Sequence, residues 1–133
     1  MSEEHAIKPR LTSRGGRLSR SAEFERVYRH GRSSASRHLV LYVFDSPSAG
    51  PSRLGLSVSR KVGGAVQRNL VKRLLREAFA AVAEEVGEGH DLVVVARPGA
   101  AELAERDGLD GIREALAELL RKAGLTAAPA EAT

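Results

Sequence analysis

A chain of 133 residues with 42% hydrophobic content supplies one core and leaves no room for a second domain of ordinary size. The absence of cysteine excludes disulfides and thiolate metal sites, no apolar run reaches the length of a bilayer crossing, and the start MSEEHAIKPR is not a signal peptide, so a cytoplasmic protein is expected. The formal net charge of +4 conceals a division: 16 Lys/Arg stand against 6 Asp/Glu up to residue 80, and 5 against 11 beyond it. A basic half of that strength is the electrostatic footprint of a nucleic-acid surface, with the acidic half facing away.

Residues 1–17 lack hydrophobic periodicity and read as a flexible basic arm carrying Lys8, Arg10, Arg14 and Arg17, either a grip on RNA or an inert end. Leu18 to His30 reads as a short helix, with Ser21 as N-cap, Glu23 and Glu25 early, Arg29 and His30 late, and Gly31 as the stop. Phe24, Val27 and Tyr28 share one of its faces. Leu39 to Phe44 is a β-branched and aromatic run, and the Ser/Pro/Gly stretch from Asp45 to Ser52 returns the chain for a second strand, so the two are expected to pair as a hairpin. In that second strand Leu54, Leu56 and Val58 alternate with Gly55, Ser57 and Ser59, giving an apolar face and a flat one with room for a ligand backbone.

The next segment is the most informative. Wound at about 100° per residue, Ala65 to Val82 gathers Leu70, Val71, Leu74, Leu75, Ala78 and Val82 on one arc and Arg68, Asn69, Lys72, Arg73 and Arg76 on the other. Amphipathic helices with a solvated cationic face are common, but such faces are normally laced by acids at i,i+4, and here none stands between Arg68 and Arg76. Glu77 is the first. Unpaired cations at this density repel one another, and a row of phosphates relieves the repulsion. Asp91 to Ala96 follows as a continuous apolar strand, and the strand-helix-strand order implies parallel pairing. Leu109, Ile112, Leu116, Leu119, Leu120 and Ala123 mark a last amphipathic helix, and residues 125–133 read as a disordered tail, leaving 18–124 as a single domain.

The run from Arg53 to Gly63, RLGLSVSRKVG, followed by Ala65 to Phe79, AVQRNLVKRLLREAF, resembles the signature of the protein subunit of bacterial ribonuclease P. Leu18, Phe24, Val27, Tyr28 and Gly31, then Leu41 and Tyr42, then Asp91 to Arg97 extend the similarity over roughly Arg17 to Leu120. The resemblance implies an α/β (α+β) two-layer sandwich ordered α-β-β-β-α-β-α, ribosomal-protein-like, with a mixed four-stranded sheet and a left-handed β-α-β crossover. Ordinary chirality would make that crossover right-handed. It further implies the non-catalytic protein component of a ribonucleoprotein endonuclease. In that hydrolase the RNA subunit, using Mg2+, removes the 5′ leader of precursor tRNA, and the protein binds ribonuclease P RNA and the leader, with no membrane and no small-molecule substrate.

The residues agree with that division of labour. A protein-only metal nuclease needs converging carboxylates, whereas the basic half has six scattered acids, and His5, His30, His38 and His90 lack the spacing of ligands or a general base. No catalytic residue, metal ligand or cofactor of the protein itself is expected. By resemblance Arg60, Arg68 and Asn69 contact the RNA subunit, with Leu70 standing where the family motif has a second arginine. Phe24, Tyr28, Tyr42, Lys61, Lys72, Arg73 and Arg76 contact the leader on the same basis. From periodicity alone the three aromatics are equally a buried helix face and its strand partner, and Ser57 and Ser59 are either donors to a ligand or ordinary strand serines. A general RNA-binding module and a self-sufficient nuclease are the competing readings, the latter lacking a catalytic constellation.

Overall fold

The run HDLVVVA, buried along nearly all of its length, takes the middle of the sheet and organises the rest. In the computed structural model, which describes residues 17–18, 21–45 and 50–127, the elements are α1 (Ser21–His30), β1 (Arg32–Ala35), β2 (Leu39–Asp45), β3 (Arg53–Ser57), α2 (Ala65–Val86), β4 (His90–Ala96) and α3 (Ala100–Lys122). The arm before Arg17, the middle of the loop after Asp45 and the tail from residue 128 lie outside the described residues. The order α-β-β-β-α-β-α and a mixed four-stranded sheet, β1-β2-β4-β3, agree with the expected class.

The expected hairpin between β2 and β3 does not form. β4 lies between them, antiparallel to β2 with Leu39 opposite Ala96 and Asp45 opposite His90, and parallel to β3 with Arg53 opposite Asp91 and Ser57 opposite Val95. The reason is burial: β4 presents side chains to both faces of the sheet, and only the central position covers both. The hairpin that does form joins β1 to β2, its turn closed by Ser36 N–H donating to Leu39 O at 2.8 Å. β1 reads RSSA, with no apolar run, so periodicity had no means of finding it.

Alternation along the strands builds two faces. On one, Leu39, Leu41, Val43, Leu54, Leu92 and Val94 pack against α2 and α3, through Val71, Leu74, Leu75 and Phe79 of the first helix and Ile112, Leu116 and Leu119 of the second. Truncating one of these fully buried leucines to alanine costs about 2–5 kcal/mol. On the other, Val93 meets Val27 of α1 and Leu18, with Phe24, Tyr42, Phe44 and Val95 around them. Leu18 is therefore core but not helical, contrary to the sequence reading, for its N–H donates to Leu54 O at 3.0 Å beside β3. The last helix begins earlier than its heptad-like leucines suggested, at Ala100, and kinks at Gly108 (φ 62°, ψ −146°). Leu125, assigned to the tail, is buried, and its N–H donates to Leu120 O.

One end of the α1 face is sealed by charge. Asp91, 1% exposed, accepts both a 3.1 Å bond from Arg53 Nε and a 3.0 Å bond from Arg53 Nη2, while Arg53 Nη1 reaches Glu23 Oε2 at 2.9 Å. Arg26 Nη2 adds a contact at 3.8 Å. The hydrogen bonds to Asp91 hold the Arg53 guanidinium above its ordinary pKa, against the pull of partial burial, and lock α1 to β3 and β4. At the opposite end the row Val40, Val95 and Ser57 is only partly covered. Among the described residues no helix is long and apolar enough to cross a membrane.

Candidate nucleic-acid interface

With Val71, Leu74, Leu75, Ala78 and Phe79 turned into the core, the 3.6-residue repeat leaves Arg68, Asn69, Lys72, Arg73 and Arg76 on the outside of α2. Leu70, where the family motif has a second arginine, packs partly buried against the core. Among the described residues only one cation of this ridge has a carboxylate within 4 Å: Arg73 Nη1 lies 3.3 Å from Glu77 Oε2, an exposed i,i+4 pair of small energetic value. Arg68, Lys72 and Arg76 have none, and no described carboxylate of the acidic half comes within 4 Å of them.

The turn ahead of α2 continues the positive surface. Val62 is buried and its N–H donates to Ser59 O, which leaves Arg60 and Lys61 exposed at the tip of the turn. The start of the helix is held by Gln67, whose Oε1 accepts the Gly64 N–H at 2.9 Å and would collide with any Cβ at Gly63. Arg68 Nε donates to Gly63 O at 3.2 Å, so part of its guanidinium braces the turn that carries Arg60 and Lys61. Gln67 was not singled out from the sequence. A Gly-Gly pair followed three residues on by Gln is the signal that marks it.

On the other face of the sheet the structure brings the three aromatics together. Phe24 and Tyr28 meet edge to face at 6.3 Å between centroids, and Tyr28 meets Tyr42 at 4.9 Å. The flat face of β3 is not open along its whole length: a Cβ at Gly55 would stand 2.7 Å from Phe24 Cζ, so at Gly55 the protein's own ring occupies the space expected for a ligand. Beyond it Tyr28 is 40% exposed and hydrogen-bonds Ser57. Burial pushes the Tyr28 phenol above its ordinary pKa, the Ser57 bond opposes this, and Tyr42 adds to it. The ridge and the aromatics thus flank the same strand from opposite faces, joined by the turn that bears Arg60 and Lys61.

The histidines serve elsewhere. His90 Nδ1 lies 2.8 Å from Asp45 Oδ1, the His30 ring 6.5 Å from that of Phe44, and His38 O accepts the Arg97 N–H, while His5 is outside the described residues. Among the described residues no three His, Asp or Glu side chains are grouped as metal ligands.

A mixed sheet whose basic helix carries a cationic ridge with a single carboxylate partner among the described residues defines a small α+β protein with a surface suited to polyanions. The profile of the Ribonuclease P family matches residues 13–124. The chain is 43% identical over 108 residues to the ribonuclease P protein component of Geobacillus thermodenitrificans, covering 81% of this chain and 86% of that one. The RNase P protein of Staphylococcus aureus superposes with a TM-score of 0.74 at 34% identity, over 82% of this chain and 95% of that one. That of Thermotoga maritima superposes at 0.71 and 33%, over 80% and 96%. The chain belongs to the ribonuclease P protein family.

Proposed function

We propose that this protein binds the RNA subunit of ribonuclease P through Arg60, Arg68 and Asn69. In the same reading it holds the 5′ leader of precursor tRNA along Lys61, Lys72, Arg73, Arg76 and the aromatic group Phe24, Tyr28 and Tyr42. Cleavage belongs to the RNA subunit and its Mg2+ ions, and the protein supplies contacts rather than a reacting group.

The observation that carries this reading is the ridge itself. Arg68, Lys72 and Arg76 stand on one helix without a carboxylate within 4 Å among the described residues, although the chain has 17 Asp and Glu. A polynucleotide backbone supplies the missing counter-charge at a spacing a helix can follow. The exposed edge of Tyr28 beside Ser57 offers a ring to an unstacked base, an interaction worth about 1–3 kcal/mol and indifferent to base identity.

Reconstitution tests it. The purified chain with a bacterial ribonuclease P RNA is expected to cleave precursor tRNA at the mature 5′ end at a magnesium concentration where the RNA alone is slow. With the RNA subunit present, precursor tRNA is expected to bind more tightly than mature tRNA. Equal affinity for the two would point to a general RNA-binding module, and cleavage by the protein without RNA would overturn the assignment of chemistry to RNA.

A further inference from the structure

Beside the free edge of β3, Arg17 pairs with Leu54 in parallel. Residues paired across a sheet share a face, so Arg17 leaves on the side where Leu54 enters the core beneath α2, while Leu18 leaves on the α1 side and packs with Val27 and Val93. Arg17 therefore leaves the sheet on the side of α2, whose Arg76 is half-buried. The two side chains sense each other: burial, and after it the charge of Arg17, pushes Arg76 below its ordinary pKa. Arginine nevertheless stays protonated at neutral pH. Arg17 Nε is closed off from water and has no hydrogen-bond acceptor. Among the described residues neither guanidinium has a carboxylate within 4 Å.

Two like charges drawn together, one of them with a buried donor left unbonded, form an arrangement that native structures rarely keep without a partner. The partner must be anionic, must offer several acceptors, and must reach the strand edge from outside. A phosphodiester meets all three conditions, and its oxygens match the planar fork of arginine better than they match lysine.

We propose that Arg17 and Arg76 form a two-guanidinium clamp on a single phosphodiester of bound RNA at the outer edge of β3. The proposal rests on the reading that α2 faces RNA, and it makes Arg17 part of the interface rather than part of a loose arm. Seating the phosphate between the two groups cancels their repulsion and draws Arg17 outward, where its Nε gains an acceptor.

The test is a double-mutant cycle on the full chain with Arg17→Gln, Arg76→Gln and the pair, measured in two arms. One arm titrates the protein against the RNA subunit alone, and the other measures the affinity that the leader adds when precursor tRNA binds the assembled holoenzyme. In one arm each single variant is expected to weaken binding by about tenfold. The double variant is expected to lose no more than about twofold beyond that. In all three the log-log salt slope becomes shallower by about 0.7–0.9, the share of one phosphate. The arm that responds identifies the RNA that supplies the phosphate. Arg17→Lys is expected to keep the salt slope while losing affinity, since charge remains and the fork does not. Arg17→Gln is expected to melt no lower than the parent at low ionic strength, because it removes a repulsion, whereas a merely structural arginine would lower the melting temperature. Multiplicative losses with twice the change in slope, a lowered melting temperature, or no effect of Arg17→Gln in either arm would overturn the clamp. Lys72→Gln separates this from the broader reading: if it weakens binding while Arg17→Gln does not, only the clamp fails, and if neither does, the RNA-facing ridge fails as well.

Discussion

Among the described residues Glu77 is the single acid within 4 Å of a cation of the α2 ridge, and replacing it by glutamine tests the polyanion surface with little disturbance to the fold. Its partner Arg73 is 60% exposed and Glu77 46%, so the pair at 3.3 Å contributes at most about 0.5 kcal/mol of stability. A carboxylate left beside a phosphate seated on Arg73, at roughly 6 Å in a water-like dielectric, opposes binding by about 0.7 kcal/mol. Glu77→Gln is therefore expected to tighten RNA by about 2–5-fold while lowering stability by no more than about 0.5 kcal/mol. The companion variant Lys72→Gln removes a cation that has no carboxylate within 4 Å among the described residues, so stability should move by less than about 0.5 kcal/mol while affinity falls and the salt slope flattens by about 0.7–0.9. If about five phosphates are held in all, the parent slope is roughly −3.5 to −4.5, a loss of about 10²–10³-fold between 0.05 and 0.2 M salt. The assay is a fluorescence titration of precursor tRNA against the holoenzyme assembled with the RNA subunit, at several salt concentrations, with denaturant unfolding of the protein in parallel. Unchanged or weaker binding by Glu77→Gln, together with an unaltered slope in Lys72→Gln, refutes the argument that phosphates replace the missing carboxylates.

The other two predictions probe the opposite face. The chain has only Tyr28 and Tyr42, so in Tyr42→Phe an ultraviolet titration reports Tyr28 alone. Its ionisation is expected above the ordinary phenol range, and adding Ser57→Ala, which removes the bond that lowers the pKa, should raise it further, whereas a fall would contradict the Ser57 contact. Arg53→Leu leaves the Asp91 carboxylate buried with only Arg26 at 3.8 Å, and is expected to cost about 3–5 kcal/mol in urea unfolding. A cost under about 1 kcal/mol would mean that the ion cluster does not hold α1 on the sheet.

What was legible in the sequence followed from periodicity, and what was not depended on neighbours. The two arcs of α2 were readable because each side chain's environment is decided by its place on one helix, and Leu70 could be assigned to the core side by angle alone. The strand from Asp91 to Ala96 was readable for a similar reason, since an unbroken apolar run needs cover on both faces. Its position in the sheet was not. Whether β2 pairs with β3 or admits β4 between them depends on which arrangement buries Val93 and Leu92 together, a tertiary choice that overrides their nearness in sequence. Gly55 shows the same limit within the site: a flat strand face predicts space, but only the packing of α1 shows that Phe24 fills it. Arg17 carries no local pattern, and its place at the edge of β3 is seen only when Leu54 is found beside it.

The two ends of the α1 face are closed to different degrees among the described residues. At the end of Arg53 and Asp91, a buried carboxylate held by three nitrogen contacts leaves no unpaired charge, so nothing there calls for a ligand. At the end of Ser57 and Val95 the sheet runs out from under α1, Tyr28 stands at the margin, and the chain turns at once through Arg60 and Lys61 into α2. The same strand therefore delivers a sealed ionic anchor at its start and a half-open aromatic margin with free cations at its end. Because α1 is fixed at the anchored end, Tyr28 is held beside Ser57 without a ligand, and on the reading proposed above a leader base would meet a positioned ring instead of having to order one. A loosened anchor should then weaken leader binding even though Arg53 lies at the far end of the strand. In Arg53→Leu the affinity that the leader contributes should fall while affinity for the RNA subunit, assigned to Arg60, Arg68 and Asn69 away from the α1 face, is retained.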